Sequence, residues 1–377
     1  MTNKTALVHT EAYAEFDYGP EHPLRMERLG LTWRLMQAYG VTALPGMVHR
    51  VPEPAAEADI AEFHTQAYID VLKAADGGRE PPNAAAFGLG LGDNPVFPGL
   101  WRVSQLIAGG SLLAADLVGR GEVTRAFHFA GGLHHAHASR ASGFCYVNDP
   151  VLAIMRLRRH GLRVAYVDID AHHGDGVQEA FYADPDVLTV STHERGDRLF
   201  PGTGFVDEVG EAGGVGYSVN LPLEAFTDSE MYLAAFEAVV PPLVKAFRPD
   251  VIVAQLGIDA HRTDPLTHLA LDIQGFARAV QRITELAPRI VALGGGGYDL
   301  RNVARGWTLA WAILNDTELP AELPAAFRED LERYEFDTPF LLDEPIRMHE
   351  DTRRRVAEYV NRQVASVRRL IFPLHGM

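Results

Sequence analysis

Six short runs of β-branched and aromatic residues, each closed by turn residues, constrain this chain more than any other feature. They are RAFHFA (125–130), RVAYVDID (163–170), VLTVSTH (187–193), YSVNLPL (217–223), VIVAQLG (251–257) and RIVALGG (289–295). Strands that alternate with helical patterns predict an α/β fold, a mostly parallel sheet with helices on both faces. Between the runs, 227–247 and 273–287 carry apolar residues at three- and four-residue spacing, as amphipathic helices do. Thr227 followed by Glu230 has the form of a capping box for the first. The Gly- and Pro-rich stretch 77–95 reads as a loop within the fold, because element patterns continue on both sides of it. Past Trp311 the pattern is helical and ends in a solvated helix over 350–370. We expect a single domain over 1–377, with the chemistry in 131–298 and a helical segment from about 316 to 377 packed on it.

Open parallel sheets bind ligands beyond the carboxyl ends of their strands. Ionisable residues gather there: GGLHHAHAS after one run, Asp168 to Asp175 after the next, LGIDAHRTD after a third and LGGGGYD after a fourth. Desolvated carboxylates are costly without a strong partner, so the cluster points to a cation. Cys145 is the only cysteine, which excludes intrachain disulfides and thiolate-rich zinc sites and leaves oxygen and nitrogen ligands. Acidic residues outnumber basic ones by 50 to 34, and no run of Lys or Arg offers a stripe for phosphate backbones, so direct nucleic-acid binding is not expected. The N-terminal MTNKTALVHTEAYAEFDYG lacks a long apolar core, and no 18-residue uncharged apolar segment occurs. A cytoplasmic protein without a membrane partner is the expectation.

Asp170 and His172 lie two apart, so an extended segment can turn both toward one ion. A carboxylate with an imidazole suits zinc or another borderline metal, and Asp259 at the end of VIVAQLG is the natural third ligand. Three such ligands leave a coordination position for water. His134 and His135 form a tandem pair at another strand end; one imidazole can accept a proton from water while the other donates to a leaving group, if Asp168 and Asp175 orient the rings. His137 reads as a structural loop histidine. LGGGGYD fails the dinucleotide fingerprint and lacks a P-loop lysine; its glycines let backbone crowd a pocket and deliver Tyr298, which either packs its ring or donates to a developing oxyanion. Cys145, in an apolar-aromatic run, reads as an inert thiol. Phe144 and Phe200 are either core residues or the walls of a narrow channel.

Together these motifs resemble the zinc-dependent histone deacetylase family, and within it the bacterial acetoin-utilisation deacetylases. The matches run in order through HPLRMERL (22–29), GGLHHA (131–136), SGFCYVND (142–149), VDIDAHHGDGVQEAFY (167–182), FPGTG (200–204), QLGID (255–259) and LGGGGY (293–298). The resemblance implies a single arginase-like domain around an eight-stranded, mostly parallel sheet. It implies hydrolysis of acyl amides, above all acetyl, on lysine side chains of proteins or peptides, with release of acetate. It implies one zinc ion per chain on Asp170, His172 and Asp259, a catalytic pair His134 and His135 oriented by Asp168 and Asp175, and Tyr298 as transition-state donor. The acyl-lysine tunnel would be lined by Gly143, Phe144, Phe200, Leu266 and Gly296, with Asp93 gripping substrate backbone at the rim. One potassium ion would use the side chains of Asp168 and Ser191 with carbonyls of Asp170, His172 and Thr192, and a second would use carbonyls near Phe181, Asp184, Val187 and Tyr217. Leu133, where eukaryotic members commonly carry an aromatic residue, and the charged HERGDRL (193–199) depart from the pattern at the pocket and its rim.

Three alternatives follow. Acetylated polyamines or other small amides could replace acetyl-lysine. A two-manganese ureohydrolase shares the arginase-like fold but needs further carboxylates where Gly174 and His261 stand, which argues for one metal. A silent acyl-lysine binding module would keep the pocket without turnover.

Overall fold

The computed structural model describes residues 4–90, 92–346 and 348–377. Leu91 of the expected 77–95 loop and Arg347 of the C-terminal segment lie outside the described residues, as do the first three residues. Eight strands form one sheet: β1 (Thr5–Val8), β2 (Met47–Arg50), β3 (Arg125–His128), β4 (Val164–Asp168), β5 (Val187–Glu194), β6 (Ser218–Leu223), β7 (Val251–Gln255) and β8 (Ile290–Leu293). Their order is β2-β1-β3-β8-β7-β4-β5-β6, and every pairing is parallel. Strands β3 to β8 are the six expected runs. The first two were not read from the sequence; the edge strand β2 is only partly buried and lacks the unbroken apolar run of the central strands.

The N-terminal half carries α1 (Glu27–Ala38), α2 (Glu57–Ile60), α3 (Gln66–Ala75), α4 (Leu100–Gly119), α5 (Asp149–Arg159) and α6 (Asp175–Phe181). The remainder carries α7 (Ser229–Phe247), α8 (Ile273–Thr284), α9 (Leu300–Leu314), α10 (Arg328–Arg333) and α11 (Glu350–Ile371). Successive strand residues face opposite layers, as the two-residue period requires. On β7, Ile252 and Ala254 join the larger apolar layer with α7, α8 and α9 residues, while Val251 and Val253 join the other layer with α4 and α5 residues. Burial on both faces explains why the central strands read as unbroken apolar runs.

Three expectations are corrected here. Helix α7 is capped by Asp228, whose carboxylate accepts the Met231 N–H at 2.9 Å, whereas Thr227 Oγ1 donates to the Glu224 carbonyl at 2.6 Å and takes no part in a capping box. The segment after α9 is mostly irregular up to α11. Pro320, Pro324, Pro339 and Pro345 interrupt helix there, and Leu323, Phe327 and Leu341 instead pack as separate anchors against Leu31, Leu35 and Leu300. Helix α8 also stops at Thr284, three residues short of the expected end.

Because β3, β8, β7 and β4 are consecutive in the sheet, the four strand ends that carry the ionisable motifs open side by side. Ile252 is fully buried at the centre of that arrangement. Ile252→Ala should cost about 2–5 kcal/mol by denaturant unfolding, since a core deletion loses transfer energy and leaves a cavity; a cost under about 1 kcal/mol would contradict the packing described.

Candidate metal centre and active site

Asp168 ends β4, and the chain then turns so that Asp170 and His172 follow within four residues, while Asp259 lies four residues beyond β7 on the neighbouring strand. All four side chains are buried. One ligand atom from each of Asp170, His172 and Asp259 lies within 4.8 Å of the other two. His172 Nδ1 sits 3.1 Å from Asp170 Oδ1 and 2.8 Å from Asp259 Oδ2. Tetrahedral coordination at zinc bond lengths separates ligand atoms by about 3.3 Å, so the set needs only a small expansion to hold an ion.

The outer oxygens of the two carboxylates are already engaged. Asp170 Oδ2 accepts Gln255 Nε2 at 2.8 Å and the Gly296 N–H at 2.7 Å, and Asp259 Oδ1 accepts the Ala171 N–H at 2.7 Å. The oxygens left facing His172 are therefore aimed. Burial, with Asp170 beside it, pushes the Asp259 carboxyl up, while His134 and His172 outweigh burial and hold that of Asp170 down. Gly296 keeps the space open, since a Cβ there would lie 2.1 Å from Asp259 Oδ2 and 2.8 Å from Asp170 Oδ2. His261, where a second metal would need a carboxylate, turns away to Asp343 at 2.8 Å, and no second metal-binding group of three occurs among the described residues.

The histidine pair stands beside this triad on the loop after β3. His134 Nδ1 meets Asp168 Oδ2 at 2.8 Å, His135 Nδ1 meets Asp175 Oδ1 at 2.7 Å, and the two Nε2 atoms lie 3.0 Å apart. Each Nδ1 facing a carboxylate carries its proton, so the Nε2 contact requires that one of the two Nε2 atoms, and not both, be protonated. Burial opposes a charge on His134, but Asp168 and Asp170 outweigh it and hold that imidazole up at about 9. Burial and the adjacent His134 lower His135 to about 4. His137 contributes indirectly, with Nε2 3.4 Å from the second oxygen of Asp175 and Nδ1 bonded to Glu179.

The supporting layer was largely missed from sequence. Asn148 Nδ2 donates to the carbonyls of His134 and Ala136 at 3.0 and 2.8 Å, and Asp149 accepts the N–H groups of Gly132 and Leu133, both at 2.9 Å. Buried Arg28, from α1, donates to the carbonyls of Gly295 and Gly297 at 2.8 and 3.1 Å and so ties down the glycine loop before Tyr298. Asp264 accepts the Tyr298 N–H at 2.8 Å and the Leu266 N–H at 3.0 Å. Arg28, Gln255, Asn148 and Asp149 lay inside recognised motifs and Asp264 closed the LGIDAHRTD cluster, where their polar chemistry beside apolar runs was a usable signal.

Tyr298 lies edge-on to His172, with ring centroids 6.3 Å apart, and burial keeps its phenol protonated far above neutral pH. Phe144 packs on Tyr298 and Phe200 on His135, at centroid distances of 5.7 and 4.9 Å. Gly143, at φ +51°, leaves no room for a Cβ between His135 and Phe200. Both phenylalanines therefore border the site, and Phe200 remains 41% exposed. Leu266 is half-buried; Asp93 is exposed, and its carbonyl accepts from His22, whose ring meets Phe144 at 4.6 Å. Asp168 pairs in register with Ser191, whose hydroxyl contacts His193 Nδ1 at 2.8 Å, and Thr192 follows on β5. Of the carbonyls expected at the second potassium position, Phe181 accepts from Asp184 and Tyr217 from Thr189, with Val187 opening β5. Cys145 is buried, and burial raises its thiol well out of the reactive range.

A parallel α/β sheet whose strand ends join an oxygen–nitrogen metal triad to two carboxylate-oriented histidines defines a hydrolytic enzyme. The chain belongs to the histone deacetylase family, since residues 22–314 match the histone deacetylase domain. It is 39% identical to the acetoin utilization protein AcuC of Bacillus subtilis over 328 residues, 85% of this chain and 84% of that one. It is 42% identical to histone deacetylase 9 of Arabidopsis thaliana over 310 residues, 81% of this chain and 72% of the relative. Among solved structures, an HDAC homolog complexed with SAHA superposes with a TM-score of 0.88 at 34% identity, covering 97% of this chain and 99% of that one. An HDAC homolog from Aquifex aeolicus gives 0.85 at 33% identity, over 95% and 99%.

Gly296→Ala should weaken zinc binding by about ten- to a hundredfold, the scale of outer-shell disruption at metal sites. Competition with a chromogenic chelator measures it, and an unchanged affinity would mean that the loop shifts freely.

Proposed function

We propose that this protein removes acetyl groups from lysine side chains by zinc-dependent hydrolysis. The observation that carries the reading is the juxtaposition of two histidines, each with its own carboxylate, and one triad of metal-binding atoms. Asp170, His172 and Asp259 would hold the ion, which supplies Lewis-acid polarisation of the scissile carbonyl and a lowered pKa for water. His134 and His135 handle the proton: one Nε2 accepts it from the attacking water, and His135, the ring nearer Phe200, returns one to the departing amine nitrogen. Asp168 and Asp175 hold the rings in the tautomers this needs. The neutral phenol of Tyr298 donates to the oxyanion.

Phe144, Phe200, Leu266, Gly143 and Gly296 then form the acyl-lysine tunnel, and Asp93 meets the substrate backbone outside it. Potassium beside Asp168 and Ser191, with the carbonyls of Asp170, His172 and Thr192, would lock the turn that presents the ligands. A second ion by Phe181, Asp184, Val187 and Tyr217 would brace the start of β5. No helix among the described residues is long and apolar enough to cross a membrane, and a buried lone cysteine suits the reducing cytoplasm we assign it.

A fluorogenic acetyl-lysine peptide, run beside acetylated polyamines with metal analysis of the same preparation, tests the reading; turnover of the polyamines alone would replace the substrate, and no turnover of either would leave a binding module. Tyr298→Phe should retain zinc and lose about a hundred- to a thousandfold in kcat, the cost of one oxyanion donor; an unchanged kcat would remove that role. Asp259→Asn should lose zinc by elemental analysis, and full occupancy would count against the triad.

A further inference from the structure

The loop that delivers Phe200 is held from outside the matched family domain. That match ends at residue 314, yet α11 (Glu350–Ile371) packs on α7 and β6 through Val356, Val360, Val367 and Ile371 and sets Tyr359 under the loop. The Arg195 guanidinium lies over the Tyr359 ring, 4.4 Å from its centroid. Its nitrogens bond Asp197 at 2.5 and 2.7 Å and Glu224, just past β6, at 2.7 Å. The Arg195 carbonyl accepts the N–H groups of Arg198 and Leu199, and the Leu199 carbonyl accepts that of Gly202. Gly196 meets the far side of the loop so closely that a Cβ would lie 2.2 Å from the Thr203 carbonyl oxygen. Phe200 is the tip of this closed structure, with its ring against His135.

We propose that Arg195 is a positioning residue that sets substrate affinity: anchored by Tyr359 and Glu224, it fixes the 195–204 loop so that Phe200 stays packed as a tunnel wall. The proposal rests on the acyl-lysine reading for its substrate. The guanidinium does the work because it is planar, stacking on one face and forking to two carboxylates, which lysine cannot do. It touches neither the metal triad nor the histidine pair, so its loss acts on tunnel geometry and leaves the chemical step alone.

The full-length chain with zinc bound provides the test, with Arg195→Ala, Tyr359→Ala and Tyr359→Phe compared on an acetyl-lysine peptide. Both alanine variants should raise KM about tenfold with kcat within about twofold, since misplacing a substrate-contacting wall weakens binding before chemistry. Tyr359→Phe, which keeps the ring, should restore the wild-type KM. A second readout needs no turnover: trypsin should cleave after exposed Arg198 about tenfold faster in Tyr359→Ala, because local opening exposes the bond. An unchanged KM overturns the proposal, whatever the cleavage rate. A raised KM with unchanged cleavage also overturns it, assigning Arg195 to direct contact with substrate, and a Tyr359→Phe variant that behaves like Tyr359→Ala removes the stacking argument. If the wild type hydrolyses no acetyl-lysine substrate, the functional reading fails, and the cleavage rate then judges the brace alone.

Discussion

Three buried carboxylates, Asp168, Asp170 and Asp259, and the partly buried Asp175 gather at the mouth of the sheet, and their mutual repulsion is the constraint around which the molecule is organised. The imidazoles of His134, His135 and His172 face them. Charge buried without partners costs several kcal/mol per group, so every neighbouring element has to contribute either a donor or space. The Gln255 amide and the N–H groups of Ala171 and Gly296 supply donors to the ligands. Gly296 and Gly257 supply space, each at a position where a Cβ would run into a ligand carboxylate.

The same constraint explains why the histidine pair is built as it is. The histidine pair and the metal-binding histidine face different carboxylates. Asp168 and Asp175 face the two Nδ1 atoms, while Asp170 and Asp259 face His172. Tyr166 secures Asp168 by donating to its Oδ2 at 2.7 Å.

Family membership and site geometry come from different evidence and agree on where the chemistry lies. Relatedness reaches the whole sheet, and the solved relatives superpose over nearly the full chain. Loop 193–199 carries Arg195 and Asp197, and the structure gives both a partner: they pair with each other, and Arg195 also stacks on Tyr359 of the C-terminal helix.

The six central strands, two of the helices between them and the ligand and histidine motifs were legible in the linear chain, because burial on both faces leaves unbroken apolar runs and because costly ionisable clusters stand out against them. Strands β1 and β2, the Asp228 cap and the irregular path from 315 to 349 were not, since short or proline-broken segments take their form from distant packing and carry little periodicity of their own. Asp170 and His172 could be paired by spacing, and Asp259 by its place at a strand end; Arg28 and Asp264 acquire their parts only when α1 and the ends of β7 and β8 are brought together. Local patterns encode what neighbouring residues do, while a site assembled from four strand ends depends on the order in which those strands pair, which the linear chain does not display.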